Sequence, residues 1–176
     1  MTKLSVPVSA KDHRQGEADA PCTLVEYGDY QCPSCGQAYP IVKRVQKHYG
    51  KRLSFVFRNF PLTQMHPFAE PAAETAEFAG ANGKFWGMHD LIYENQDRLG
   101  DEELLPELAK QLHLAPAKLL EALESREFEP RVKSDFSSGV RSGVNGTPTF
   151  FINGQRHDGP YDFASLVEAI DGALES

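Results

Sequence analysis

Two cysteines spaced by a proline and a serine, Cys32-Pro33-Ser34-Cys35, stand where an apolar run gives way to a helical period, and that junction limits what this chain can fold into. The run Leu24-Val25-Glu26-Tyr27 before it reads as a strand, and the stretch from Cys35 to Tyr49 after it reads as an amphipathic helix. Cys32 then falls at a helix N-terminus. There the first-turn N–H groups lack intrahelical partners and, with the helix dipole, favour a thiolate over a thiol. Pro33 sacrifices no bond at the first helical position. Cys35 lies one turn on, within reach of a disulfide to Cys32. A CxxC is also half of a zinc site, but the other half is missing from the sequence. The only other cysteine is Cys22, and His13, His48, His66, His89, His113 and His157 are scattered singly, so no metal is expected and thiol redox chemistry is.

With 176 residues the chain suits one well-cored domain, or one domain carrying an insertion. Its 18 basic and 25 acidic residues give a net charge of −7, which argues against a nucleic-acid or anionic-membrane surface. No apolar run approaches the roughly 20 residues of a transmembrane helix. The opening residues, Met1 to Val8, lack the apolar core of a secretory signal. The expectation is a cytoplasmic protein, the alternative being a periplasmic or other extracytoplasmic one with its signal removed. Three cysteines cannot all pair within one chain, so a disulfide-stapled scaffold is excluded.

Taken in order, Leu4 to Val8 reads as a short edge strand and residues 11–21 as a connecting arm ending at Pro21. Cys22, at the start of the next strand, reads as a small buried hydrophobe rather than a third redox thiol. Glu26 stands out in a run that suggests a buried central strand. Burial would favour its protonated form and let it exchange protons with Cys35; a solvent-facing acid on a half-exposed strand is the other reading. The first long helix spans Pro33 to Tyr49, with Pro40 as a kink and Gly50 as its end. Leu53 to Phe57 follows as a strand, completing a βαβ unit with parallel strands.

From residue 63 to 143 helices take over. They run over Pro71–Ala81, Lys84–Asn95 and Asp101–His113, then from Pro116 through Leu123, with a last one marked by Val132, Phe136 and Val140 and capped by Gly143. Thr147 to Ile152 returns as a strand, and Asn153-Gly154 makes a type I′ hairpin turn into Gln155-Arg156-His157. Asp162 caps a closing helix bearing Phe163, Leu166, Val167, Ile170 and Leu174. Pro148, after Gly146-Thr147 and before an apolar strand, sits where a cis peptide bond makes a tight turn. An ordinary trans proline opening a strand is the plainer reading.

Several stretches together resemble the DsbA-like members of the thioredoxin superfamily: Val25 to Tyr30 before the Cys32-Pro33-Ser34-Cys35 motif, Phe57 to Leu62, Phe85 to Asp90, and Gly143 to Phe151 with its Gly146-Thr147-Pro148. The resemblance runs from about Val8 to Leu174. It implies an α/β thioredoxin fold, residues 1–62 and 144–176, interrupted by an all-helical insertion at 63–143. It also implies an exposed nucleophile at Cys32, a resolving thiol at Cys35, a buried acid at Glu26, and a Thr147–cis-Pro148 loop that faces the disulfide and binds substrate. Pro33 and Ser34 tune the motif. Ser34 stands where the best-known periplasmic oxidase has a histidine, and a neutral serine stabilises a thiolate less than an imidazolium.

The activity expected is thiol–disulfide exchange with protein or low-molecular-weight thiol substrates, with no bound cofactor, an unidentified redox-recycling partner, no nucleic acid, no membrane insertion and a monomeric chain. A glutathione-dependent isomerase or transferase on a related fold is the first alternative; it needs only one activated group, which the paired cysteines speak against. The second is a redox-sensing module without turnover.

Overall fold

A computed structural model describes residues 2–176. Five strands, β1 (His13–Gln15), β2 (Cys22–Gly28), β3 (Leu53–Asn59), β4 (Thr149–Ile152) and β5 (Gln155–His157), form one sheet in the order β1-β3-β2-β4-β5. β2 is the central strand, and all of it except Thr23 is buried. Its partner β4 runs antiparallel, setting Leu24 opposite Ile152, Val25 opposite Phe151, Glu26 opposite Phe150 and Tyr27 opposite Thr149. β5 returns antiparallel to β4 through Asn153 and Gly154, both at positive φ (48° and 83°), as a type I′ turn requires.

The edge strand is not where the sequence suggested. Among the described residues, Leu4–Val8 contributes no strand, and the neighbouring Lys3 makes a single bridge to Gln155. The edge is β1, inside the stretch expected to be a connecting arm, pairing antiparallel with β3. Polar side chains hold it there rather than an apolar alternation. Arg14 donates to Ser54 Oγ at 2.9 Å, and Asp12 takes the buried Arg58 at 2.8 Å. Gly16 closes the segment at φ +94°, where a Cβ would come within 2.7 Å of the Leu53 carbonyl.

By compactness the chain divides into two units. The first comprises Met1–Gly28, Pro33–Arg58 and Ser137–Ser176, and holds the sheet up to Arg58 of β3 together with α1 (Pro33–Tyr49) and α7 (Phe163–Leu174). Cys35, Ala38, Val42, Val45 and Tyr49 form the buried stripe of α1, spaced three and four apart. Tyr49 donates to the Val167 carbonyl at 3.0 Å and to Asp171 Oδ1 at 2.7 Å, fastening α1 to α7. Asp162 caps α7 as expected, accepting the Ser165 N–H at 3.0 Å.

The second unit comprises Asp29–Cys32 and Asn59–Phe136, with helices α2 (Ala69–Ala81), α3 (Phe85–Glu94), α4 (Leu104–Gln111) and α5 (Pro116–Ser125). The alanines of α2 bring it close to α3 and α5. α6 (Glu129–Arg141) runs across the boundary between the units, and its buried line differs from the expected one. Val140 is 54% exposed, whereas Val132, Asp135, Ser138 and Ser142 are buried. Each buried polar group on that line has a partner: Asp135 accepts from the Asn59 backbone and amide at 3.0 and 2.9 Å, Ser138 meets the Tyr27 hydroxyl at 2.8 Å, and Ser142 accepts the Ser5 N–H at 2.9 Å.

Candidate active site

The passage from β2 to α1 is built on a tight contact. A Cβ on Gly28 would lie 2.5 Å from Phe57 Cε1 and 2.8 Å from Glu26 Oε2, so only glycine lets the strand end here. Glu26 is 3% exposed, which settles the choice between a buried and a solvent-facing acid. Cys22, Leu24, Glu26 and Gly28 share one face of β2 by alternation. Tyr27, on the other alternation, meets Ser138 of α6 at 2.8 Å, so these four residues lie on the face of β2 away from α6. Glu26 thus sits buried in the central strand, on the face away from α6 and next to the strand end at Gly28.

The four residues before that helix are held by side chains of their own unit. Asp29 Oδ1 accepts the N–H of Gln31 at 2.8 Å and of Cys32 at 3.1 Å. Its Oδ2 accepts the Leu62 N–H at 2.9 Å and meets His66 Nδ1 at 2.8 Å. Gln96 donates to the carbonyls of Tyr30 and Cys32, and the Tyr30 hydroxyl meets His89 Nδ1 at 2.8 Å. His89 is itself buried among the rings of Phe85, Trp86 and Tyr93. None of these was anticipated, although an aspartate can accept the N–H groups two and three residues on, a local turn signal that marks Asp29 as a candidate. His66, His89 and Gln96 carry no such local signal.

Cys32 keeps 6% of its surface and Cys35 none, so the expected order of exposure holds, but Cys32 is far less open than the resemblance implied. Pro33 and Ser34 are the first two residues of α1. Cys22 is buried too, and burial pushes its thiol up to about 11, in keeping with an inert core cysteine.

Elsewhere in the first unit the Thr147–Pro148 peptide is cis. Both residues are half-buried, and Pro148 borders a largely polar groove of about 300 Å³ that also meets Phe150, Arg156, His157 and Tyr161. The second unit has a smaller, mainly apolar groove of about 250 Å³ along Pro61–Met65 and Phe136, with Met65 71% exposed.

Across residues 9–172 the sequence matches the thioredoxin family. It is 44% identical over 174 residues, 98% of the chain, to the Na(+)/H(+) antiporter NhaA 3 of Salinispora tropica, and spans only 26% of that protein's length. The fold superposes on BdbD of Bacillus subtilis in its oxidised form with a TM-score of 0.86 and 27% identity, covering 100% of both chains. It also superposes on Wolbachia pipientis alpha-DsbA1 with a TM-score of 0.83 and 19% identity, covering 98% of this chain and 94% of that one.

Proposed function

The chain belongs to the thioredoxin family, in its DsbA-like branch, and on that footing we propose that it is a thiol–disulfide oxidoreductase exchanging disulfides with protein or small thiol substrates. The observation that carries this reading is the junction itself: a central strand ends, Cys32 follows within four residues, and Cys35 lies in the first turn of the next helix.

In the oxidising direction a substrate thiolate attacks Cys32 of the Cys32–Cys35 disulfide. The S–S bond breaks, Cys35 leaves as a thiolate and takes up a proton, and a mixed disulfide remains at Cys32. A second substrate thiolate attacks the substrate sulfur of that mixed disulfide and releases Cys32. The substrate gains a disulfide and loses two electrons, which the dithiol keeps. Reduction runs the same steps backwards. Glu26, buried in the central strand six residues before Cys32, serves as the proton partner of Cys35. Thr147 and Pro148 present backbone to an extended substrate segment, which adds to them as a strand does. Sulfur exchange needs no bound cofactor, and the recycling partner supplies or accepts the electron pair through a dithiol or disulfide of its own.

The chain spans about a quarter of the length of the antiporter relatives it matches. No helix among the described residues is long and apolar enough to cross a membrane. The location proposed is the cytoplasm, with an extracytoplasmic site as the competing outcome.

Insulin reduction and dithiol-peptide oxidation test the activity. Turnover in both, abolished by Cys32→Ser, is the expected result. A single stoichiometric oxidation without turnover would replace the enzyme by a redox sensor, and turnover that survives Cys35→Ser only with glutathione would favour the transferase reading.

A further inference from the structure

Asp29 is a buried charge that the exchange mechanism above leaves unused. Its side chain is 0% exposed. Three backbone N–H groups, those of Gln31, Cys32 and Leu62, converge on its two oxygens and can only donate. Both oxygens act as acceptors in this arrangement, which assigns the shared hydrogen to Nδ1 of His66. Two consequences follow for Cys32. The backbone N–H of Cys32 is held by Asp29, whose Oδ1 and carbonyl oxygen each accept it at 3.1 Å, and Pro33 has none to offer. In addition, a negative charge screened from water stands beside the residue that must itself become negative.

We propose that Asp29 is a positioning residue for the exchange. It locks the backbone of Cys32 and, through its charge, restrains the Cys32 thiolate, making the dithiol a weaker oxidant than the helix N-terminus alone would make it. Around the same stretch the Tyr93 hydroxyl lies 3.5 Å from the Asp29 carbonyl and the Tyr30 hydroxyl meets His89. His66 is a titratable side chain bonded to the carboxylate, through Oδ2. The inference rests on the oxidoreductase reading and assigns the residue that sets its potential.

The test equilibrates the whole chain with glutathione at one pH, above the usual imidazole range, for the native protein, Asp29→Asn and His66→Gln. Asparagine still accepts the N–H groups of Gln31 and Cys32 but carries no charge. The equilibrium constant for reducing the disulfide is expected to rise about tenfold, a potential about 30 mV less negative. Glutamine at 66 still donates to Oδ2 and leaves the charge in place, and is expected to stay within about twofold of the native protein. An unchanged potential in Asp29→Asn overturns the proposal. So does an equal shift in His66→Gln, which would trace the effect to displacement of the loop. Should Asp29→Asn fail to fold, Asp29→Ser, whose hydroxyl accepts the Cys32 N–H without charge, carries the same expectation. A native Cys32–Cys35 pair that never equilibrates with glutathione defeats the function reading itself, whereas a pair that equilibrates normally and ignores residue 29 defeats only this inference.

Discussion

The side-chain amide of Gln96 donates to the backbone carbonyl of Cys32 at 2.8 Å, from a turn 64 residues further along the chain. The same nitrogen reaches the Tyr30 carbonyl at 2.9 Å. With Asp29 taking the N–H of Cys32, both polar groups of the peptide units around this cysteine are held by side chains. Such fixing lowers the ordering cost each time a mixed disulfide forms.

Gln96→Ala removes both bonds at once. At about 0.5–1.5 kcal/mol each, the loss is expected to be roughly 1–3 kcal/mol, felt locally. Amide exchange should quicken at residues 30–32 and insulin-reduction turnover should fall several-fold with the helical content unchanged. Unaltered exchange at those amides would show that Gln96 merely follows a loop held by other means.

The three thiols are expected to react in a fixed order. Cys32 is the only one with any exposed surface near the helix start, Cys35 has none, and Cys22 is a neutral thiol near pH 7 because burial pushes it up to about 11. Alkylation of the native reduced protein followed by mass mapping should therefore label Cys32 first, then Cys35, with Cys22 last. Cys35→Ser should accumulate mixed disulfides, Cys32→Ser should lose turnover, and Cys22→Ala should keep it. Equal labelling of Cys32 and Cys35 would remove their division of labour.

Gly28→Ala tests whether the end of the central strand is as tight as its geometry says. The added methyl meets the Phe57 ring at 2.5 Å and the Glu26 carboxyl at 2.8 Å, and neither can retreat from a buried site without disturbing its neighbours. A loss of about 1–3 kcal/mol in denaturant unfolding is expected, as for other overpacked cores. A midpoint equal to that of the native protein would mean that Phe57 yields without cost.

Local signals made much of this legible in the sequence, and long-range polar bonds hid the rest. The stripe of α1, the Asn153-Gly154 turn and the Asp162 cap each depend on residues within a few positions of one another, so spacing alone reveals them. β1 escaped because Asp12 and Arg14 hold it through Arg58 and Ser54, some 40 residues distant, without apolar alternation. The buried side of α6 was misassigned for a related reason. Asp135, Ser138 and Ser142 look like surface residues until their partners are known, while Val140 looks like core and is not. At the candidate site, the cysteines and Glu26 stand in one short stretch and could be read directly. His66 and Gln96 could not, since each joins that stretch only through a bond spanning 37 or 64 residues.

Asp135 gives a prediction about pH. Burial raises its pKa above the ordinary carboxylate value, opposed by the nearby Arg131 guanidinium and by the Asn59 N–H. A group whose folded pKa lies above its unfolded one contributes stability that is fully present below the unfolded value and is lost as pH rises through the folded one. The native protein should therefore give up part of its stability as pH climbs from about 4, the unfolded carboxylate range. Asp135→Asn, neutral throughout and still able to accept the Asn59 N–H, should gain on the native protein in melting temperature over the same interval. A difference between the two that stays constant with pH would exclude Asp135 as the titrating group.

The direction of exchange in the cell is the last prediction, and it turns on three groups near the dithiol. The helix N-terminus favours the Cys32 thiolate, whereas Ser34 brings no positive charge and Asp29, on the inference drawn above, restrains that thiolate. A dithiol whose thiolate is only partly stabilised is a middling oxidant, so its potential is expected between those of thioredoxin and the strongest periplasmic oxidant, about −270 and −120 mV. In a cytoplasm kept reducing by glutathione, a couple in that range is held mostly as the dithiol and acts on substrates as a reductant. Outside that compartment the same couple is held as the disulfide and donates it. Rapid acid quenching of unstressed cells, followed by thiol trapping of this chain, distinguishes the two. Cys32 and Cys35 recovered mainly as thiols is the expected result. Recovery mainly as the disulfide would overturn the proposed cytoplasmic location and make the chain a disulfide donor working outside it.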